Sequence, residues 1–204
     1  MALTNTVTAY SNAEVVKTAL VANQLRQKTA LGSTPSTIST VTAVEYGDGK
    51  DITTVLTLTN FVVGAFTPAA AALGMGNIVY AFPAGQHLEL VYGFSGIVLT
   101  AVGTAVNADV GLGSVIGSGV VATLDGTPTF ENRLTGQTIA TAAAGGAAAS
   151  ALLGATAGIG TGIALNVAAS VKNVFLNAAG TWNANNTGNL TASGVITLKW
   201  TNMS

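Results

Sequence analysis

His87 and Glu89 are the titratable pair whose spacing could support catalysis, since residues two apart in an extended chain share one face. A histidine beside a carboxylate can transfer a proton as a general acid or base. The sequence has no second histidine, no cysteine and no Gly-x-Ser-x-Gly nucleophile motif. We therefore interpret the pair as a surface ion pair, and we expect no catalytic residues, no cofactor and no enzymatic activity.

A cluster of carboxylates lies in EYGDGKD, which contains Glu45, Asp48 and Asp51. Carboxylate oxygens of this kind bind Ca²⁺, but their spacing differs from that of an EF-hand loop. Asp48 and Gly49 also form a turn signal between two β-branched runs, which predicts a β-hairpin. We interpret the three carboxylates as the solvated tip of this hairpin and expect no metal site.

The glycine-rich stretch GLGSVIGSG contains Gly111, Gly113, Gly117 and Gly119. It is not a Gly-x-Gly-x-x-Gly dinucleotide motif, and no lysine follows to complete a P-loop. Glycines at such spacing in a strand instead allow bulges or the close approach of another backbone segment. We predict that structural role here and for GIGTG at 158–162.

The aromatic residues suggest either core packing or a carbohydrate-binding platform. Tyr92 and Phe94 share a face of one predicted strand, while Trp182 and Trp200 flank the last predicted hairpin. Aromatic rings supply large buried areas in cores and interfaces. We favour packing over sugar binding for these four rings.

The composition points to a protein that associates. Charged residues make up 7% of the 204 residues and the net charge is −1, whereas soluble domains carry about 25% charged residues. Such a surface has little electrostatic protection against association, so we predict ordered self-association, the alternative being a monomer with a Thr/Asn-rich surface. Nucleic-acid binding needs clustered basic residues, and the closest approach is Arg26 with Lys28, so we expect no nucleic-acid partner.

The first 36 residues are predicted to form a unit of their own. Residues 1–10 have no core pattern and lack the features of a secretory signal. Ser11 and Glu14 have the spacing of a capping box, and apolar residues follow on one face, which predicts a helix over about 12–30. An arm and helix at 1–36 would thus precede a β domain at 37–204.

The rest of the chain changes to a period of two and is rich in Thr, Val and Ile. The predicted strands, broken by Gly and Pro, are TISTVTAVEY, DITTVLTLTNFVVG, NIVYAFP, HLELVYGFSGIVLTAV, DVGLGSVIGSGVVATLDG, TPTFENRL, GIALNVAASVKNVFLNAAG and GNLTASGVITLKW. Many short strands with frequent turn signals predict a mainly β protein, an antiparallel β-sandwich or jelly roll.

Charge is absent from much of the C-terminal part. Residues 134–204 contain no carboxylate and only two basic residues, Lys172 and Lys199. One interpretation is that this part is buried between subunits. The other is that its strands form the hydrophobic centre of the same domain, and the sequence leaves both open.

The segment 139–165 has no charged residue and is long enough to cross a bilayer. It consists mostly of Ala, Gly and Thr, whereas insertion depends on Leu, Ile, Val and Phe, and its six glycines weaken a helix. We therefore expect no membrane span. We interpret 139–165 as a small-residue insertion that packs against neighbouring copies or another surface, with a short helical turn near Ala148–Leu153.

Two segments carry a resemblance to a known class of proteins. DVGLGSVIGSGVVATLDGTPTFENRLTGQT and VKNVFLNAAGTWNANNTGNLTASGVITLKW resemble segments of tailed-bacteriophage virion proteins, especially capsid decoration (cement) proteins. The likeness covers about residues 86–204 and contains no catalytic motif. It leaves out the N-terminal helix and most of the Ala/Gly segment.

The resemblance implies a β-rich homotrimer, made in the host cytoplasm and bound to the exterior of an icosahedral phage head. Such a protein would bridge major capsid proteins and stabilise the shell, with itself and the major capsid protein as partners. Head-fibre proteins and host-surface or glycan-binding adhesins are the alternatives. A major capsid protein would need more helix than the sequence predicts.

Overall fold

The computed structural model describes residues 27–28, 40–47, 50–66, 72–83, 85, 87–124, 129–143, 165–166 and 172–203. These residues form strands, turns and loops, and they contain no helix. The strands are β1 (Gln27–Lys28), β2 (Val41–Gly47), β3 (Asp51–Ala65), β4 (Ala72–Phe82), β5 (His87–Val102), β6 (Asn107–Gly113), β7 (Leu134–Ala140), β8 (Ala142–Ala143), β9 (Leu165–Asn166), β10 (Lys172–Thr181) and β11 (Thr187–Asn202).

Two sheets build the domain. The larger sheet has the strand order β1-β2-β3-β11-β5-β8, with β9 also paired to β5, and the smaller has the order β4-β10-β6-β7. All strand pairs are antiparallel except β5 with β8. The predicted mainly β fold with two antiparallel sheets, as in a β-sandwich, is confirmed.

One hydrophobic core draws on both sheets, because period-two alternation turns every second apolar side chain inward. The larger sheet contributes residues such as Leu56, Phe94 and Leu198, and the smaller sheet contributes residues such as Val79, Val110 and Leu176. Each of these six side chains is at most 2% exposed. The packing of the two sheets therefore decides which polar side chains become trapped between them.

The predicted hairpin is confirmed, with β2 and β3 paired from Val41 opposite Leu58 to Gly47 opposite Ile52. The predicted strand in TPTFENRL is wrong: the described residues 129–133 form turns and bends, and β7 begins only at Leu134. The predicted strand in DVGLGSVIGSGVVATLDG also ends early, because β6 stops at Gly113.

The strands of the uncharged C-terminal part occupy the middle of both sheets. β10 lies between β4 and β6, and β11 lies between β3 and β5. A central strand has neighbours along both edges and a covered inner face, so it has few positions for charged side chains. Placement in the centre of the domain therefore accounts for the low charge of β10 and β11.

Other sequence predictions fall partly or wholly outside the described residues. Of the predicted helix over about 12–30, only Gln27–Lys28 is described, and it forms β1. The insertion predicted at 139–165 begins later than expected, since Ile139 belongs to β7 and is 4% exposed in the core. Residues 144–164, with the predicted helical turn and GIGTG, lie outside the described part. In the part that is described, no helix has the length and hydropathy to cross a membrane.

Candidate functional site

A bulge in β5 turns a set of polar side chains into the core. The register between β5 and β11 shifts between Lys199 and Trp200, which pair with Val91 and Glu89. The extra residue lets Glu89 and Tyr92, three positions apart, face the same side. His87, Glu89 and Tyr92 are only 1%, 4% and 3% exposed.

Arg133, which precedes β7, reaches Glu89 across the two sheets. Its Nε donates to Glu89 Oε2 at 2.7 Å, and its Nη2 donates to Glu89 Oε1 at 2.8 Å. Its Nη1 donates to the carbonyl oxygens of Gly113 at 3.0 Å and Asn173 at 2.6 Å. This two-bond guanidinium–carboxylate geometry is the strongest form of ion pair in proteins. The predicted surface location of the His87–Glu89 pair is therefore wrong.

Both carboxylate oxygens of Glu89 are fully occupied by donors. Oε1 also lies 3.3 Å from His87 Nε2, and Oε2 also accepts a hydrogen bond from the Tyr92 hydroxyl. Burial alone would raise the pKa of Glu89, but the hydrogen bonds from Arg133, His87 and Tyr92 and the charge of Arg133 lower it to about 2. Burial also raises the pKa of Tyr92 well above its usual value, so Tyr92 stays a donor. A carboxylate held this way is a poor general base, because it is charged but has no free oxygen.

His87 is enclosed by aromatic rings rather than by a cleft. Its ring stacks on Phe82 with 4.2 Å between centroids and an interplanar angle of 23°, and Trp200 lies 6.0 Å away edge-on. Its Nδ1 is buried without a hydrogen-bond partner. A proton-transfer role needs contact with a substrate, and the His87 ring is 1% exposed. The arrangement around His87 and Glu89 is thus suited to joining the sheets.

The two described carboxylates of the β2–β3 hairpin, Glu45 and Asp51, have separate surroundings. Glu45 is 1% exposed, and its Oε1 accepts hydrogen bonds from Tyr80 Oη at 2.5 Å and Thr54 Oγ1 at 3.4 Å. Asp51 is exposed and accepts a 2.8 Å hydrogen bond from Thr201 Oγ1. The predicted solvated tip is therefore wrong for Glu45 and correct for Asp51, while Asp48 lies outside the described residues. No cluster of three potential metal ligands occurs in the described part of the chain.

Residues 114–124 and the turn at 129–133 cover the outer face of the smaller sheet, and we call these two segments the cover layer. We call residues 114–124, which directly follow β6, the cover loop. A Cβ added at Gly111, Gly113 or Gly117 would lie 2.8, 2.4 or 2.8 Å from a backbone oxygen of a neighbouring segment. The predicted close backbone approach at these glycines is confirmed. Gly117 lets the loop lie directly on Met75 of β4, whereas Gly111 leaves room for β7 and Gly113 for residues 129–130.

Asn177, in the middle of β10, fixes the cover loop. Its neighbours along β10 point into the core, so its own side chain points outward to the loop. Its Oδ1 accepts a 2.7 Å hydrogen bond from Gly117 N, and its Nδ2 donates to Val115 O at 2.9 Å and to Phe130 O at 2.7 Å. Asn177 is 0% exposed, and its amide makes the hydrogen bonds to this segment that water or a neighbouring strand would otherwise make.

The cover loop exposes three large apolar side chains, beside the exposed Ser114, Ser118 and Thr123. Val115 and Ile116 are 43% and 45% exposed, and Val120 is 86% exposed. At the end of the loop, Leu124 turns inward and is fully buried beside Gly111 and Gly136. The loop is thus anchored at several points while it presents three apolar side chains to solvent.

The four singled-out aromatic residues pack in the interior. Tyr92, Phe94, Trp182 and Trp200 are each at most 3% exposed. Trp182 Nε1 donates to Leu73 O at 3.0 Å, and Trp200 Nε1 donates to Thr54 Oγ1 at 2.9 Å. Buried tryptophans usually find such a partner. These rings serve the core, as the packing interpretation predicted, and none of the four forms a sugar platform.

Sequence reasoning missed Arg133 and Asn177. Arg133 carried a weak signal as the last charged residue before the 38 uncharged positions that end at Lys172. Asn177 carried a better one, as an amide within the otherwise apolar run VFLNAA. Comparisons of the chain with protein-family models, with curated proteins and with solved structures found no match.

Proposed function

We propose that the chain is a virion structural protein that decorates the exterior of an icosahedral phage head as a homotrimer. It would stabilise the shell by bridging neighbouring major capsid proteins. The observation that carries the proposal is the contrast between the charged side chains inside the described domain and the apolar side chains on its surface. Its buried ion pair, Glu89 with Arg133, joins the two sheets, while its cover loop presents three apolar side chains and no charge to solvent.

The resemblance to decoration proteins supports the same proposal. The two segments that carry it, 109–138 and 171–200, contain most of β6, the cover loop, β10 and most of β11. They therefore include both the exposed loop and Asn177, which anchors it. The resemblance thus coincides with the part of the fold best suited to contact another protein.

The proposed mechanism of shell binding is a set of weak contacts that the symmetry of the trimer repeats. A trimer that engages three shell subunits converts the second and third contacts into intramolecular events, and their effective concentration raises the overall affinity. The shell is stabilised because each bound trimer links subunits that would otherwise separate independently. No titrating group is needed for this activity, which fits the fully bonded state of Glu89.

The test is binding to phage head shells that lack a decoration protein. We expect the purified full chain to sediment with expanded shells in a saturable amount, and to raise the temperature at which they break. A chain that stays in the supernatant at every concentration would overturn the proposal. Removal of residues 1–32, the predicted arm and helix, should weaken shell binding and leave the oligomer intact.

The adhesin alternative has one specific observation in its favour. A surface hollow of ≈ 180 Å³ lies at the β2–β3 hairpin, lined by residues that include Tyr46, Asp51 and Lys199. Sugar sites combine such polar and aromatic groups, but ligand pockets usually span about 300–1,000 Å³. A glycan array with the full chain separates the two functions, because a decoration protein gives no signal on it.

A further inference from the structure

We propose that the cover loop is the surface through which copies of this chain bind each other, with Val115, Ile116 and Val120 at the contact. The inference deepens the proposed function and rests on it, because it assigns the trimer contact to a defined loop. The strands β10 and β11 cannot supply that contact through their inner faces, because those faces already form the core of the domain.

Exposure singles out this loop. Six large apolar side chains of the described residues are exposed. Three of them, Val115, Ile116 and Val120, lie within six consecutive positions, 115–120. Single exposed apolar residues are ordinary, whereas contiguous ones mark interaction surfaces. The other three, Val91, Val102 and Met203, belong to β5 or to the end of the described chain.

The loop is held in place before any partner arrives. Asn177 binds it through three hydrogen bonds, Gly74 N donates to Gly119 O at 2.9 Å, and Ser114 N donates to Asn132 Oδ1 at 2.9 Å. A preformed loop loses little conformational entropy on binding, so less of the free energy of each apolar contact is lost to ordering the loop. This anchoring keeps the apolar side chains pointing outward.

The charge distribution identifies the occupant as a second copy. Residues 110–124 contain no charged residue. Two described carboxylates beside them are turned inward: Asp109 accepts hydrogen bonds from Leu124 N and Thr138 Oγ1, and Glu131 accepts one from Gly136 N. A partner must present an equally uncharged surface, since burying an unpaired charge is costly. This chain, with 7% charged residues and a net charge of −1, offers such a surface and no long-range repulsion.

The size of the loop limits the strength of each contact. Stable two-body interfaces use about 20–30 residues a side, so one loop of eleven residues is too small to hold a stable dimer. In an oligomer with closed rotational symmetry, the same loop of every copy meets at the axis. The contact then contains the three apolar side chains of each copy. The tips of the loops, at Val120, are then neighbours across the axis.

The first test compares the masses of the wild-type chain, Val120→Asp and Val102→Asp in solution. Val102 is the matched control, since it is a valine with 52% exposure outside the cover loop. We expect Val120→Asp to raise the dissociation constant by about tenfold or more, because a charge replaces a buried methyl pair at every contact. Val102→Asp should assemble like the wild type. Circular dichroism confirms that both variants are folded.

The second test uses the absence of cysteine from the sequence. A Val120→Cys chain treated with copper phenanthroline should form a disulfide-linked pair of chains on a non-reducing gel, whereas Val102→Cys should not. If Val120→Asp forms the same oligomer as the wild type and Val120→Cys gives no cross-link, the loop assignment is overturned and the proposed function still stands. A wild-type chain that is monomeric would overturn both.

Discussion

The guanidinium of Arg133 binds the carboxylate of Glu89 through two hydrogen bonds of 2.7 and 2.8 Å, across the interface between the two sheets. Glu89 belongs to β5 of the larger sheet, and Arg133 precedes β7 of the smaller sheet. The pair is 4% and 8% exposed at its side chains. It is therefore a buried polar link between the two sheets, beside the hydrogen bond from Tyr80 of β4 to Glu45 of β2.

Removal of Arg133 should destabilise the fold strongly. In Arg133→Met, Glu89 stays buried without its cation, and the loss of one member of a buried ion pair costs about 3–5 kcal/mol. The measurement is the free energy of unfolding from urea denaturation at pH 7. The double variant Arg133→Met with Glu89→Met should recover a large part of the loss, and a single variant as stable as the wild type would contradict the structural role.

Stability should fall in acid through Glu89. Its pKa is about 2 in the folded chain and 4.5 as the ordinary value, so the folded state binds a proton less readily than the unfolded state. The resulting stability is complete above pH 4.5 and is lost as the pH falls towards 2, by about 3 kcal/mol in all. Denaturation midpoints between pH 6 and 2 measure it. Glu89→Gln should flatten this dependence, whereas Asp51→Asn, at an exposed carboxylate, should leave it steep.

A methyl group at Gly113 should dislodge the cover layer. The added Cβ would lie 2.4 Å from Phe130 O, so either β6 or the layer must move. We expect Gly113→Ala to lower the unfolding free energy by about 2 kcal/mol, the range of overpacked sites. Gly93→Ala is the matched control, because nothing lies within 4 Å of its added Cβ. Equal stability of the two variants would mean that the layer does not press on the sheet.

Loss of the Asn177 amide should loosen the cover loop more than the sheets. Asn177→Ala removes the hydrogen bonds to Gly117 N, Val115 O and Phe130 O, at about 1–3 kcal/mol for each group that stays dry. Hydrogen exchange should accelerate at 114–124 while the amides of β11 remain protected. Asn189→Ala, at an exposed site, serves as the control, and unchanged exchange in the loop would rule out the anchoring role.

The strands could be predicted from the sequence because their signal is local. HLELVYGFSGIVLTAV coincides with β5, and the two runs that flank Asp48–Gly49 in the sequence supply the paired strands β2 and β3. Alternation of side chains and turn residues are both properties of neighbouring positions. The same reasoning failed for TPTFENRL, because its described residues 129–133 form a turn that packs over a sheet and adds no strand to it.

The buried polar site could not be predicted because it depends on distant residues. Arg133 and Glu89 are 44 positions apart, and only the packing of two sheets brings them together. A bulge at one residue of β5 also turns Tyr92 to the side of Glu89, and period-two reasoning misses such a shift. The surface interpretation of His87 and Glu89 failed for this reason.

The mass of the purified full chain in solution tests most directly the central claim that this protein is built to assemble. Size-exclusion chromatography with light scattering should give three times the 20.2 kDa of one chain. The mass should hold in high salt, because the proposed contact is apolar and salt screens only charges. A mass of 20.2 kDa at every concentration up to the millimolar range would contradict the claim.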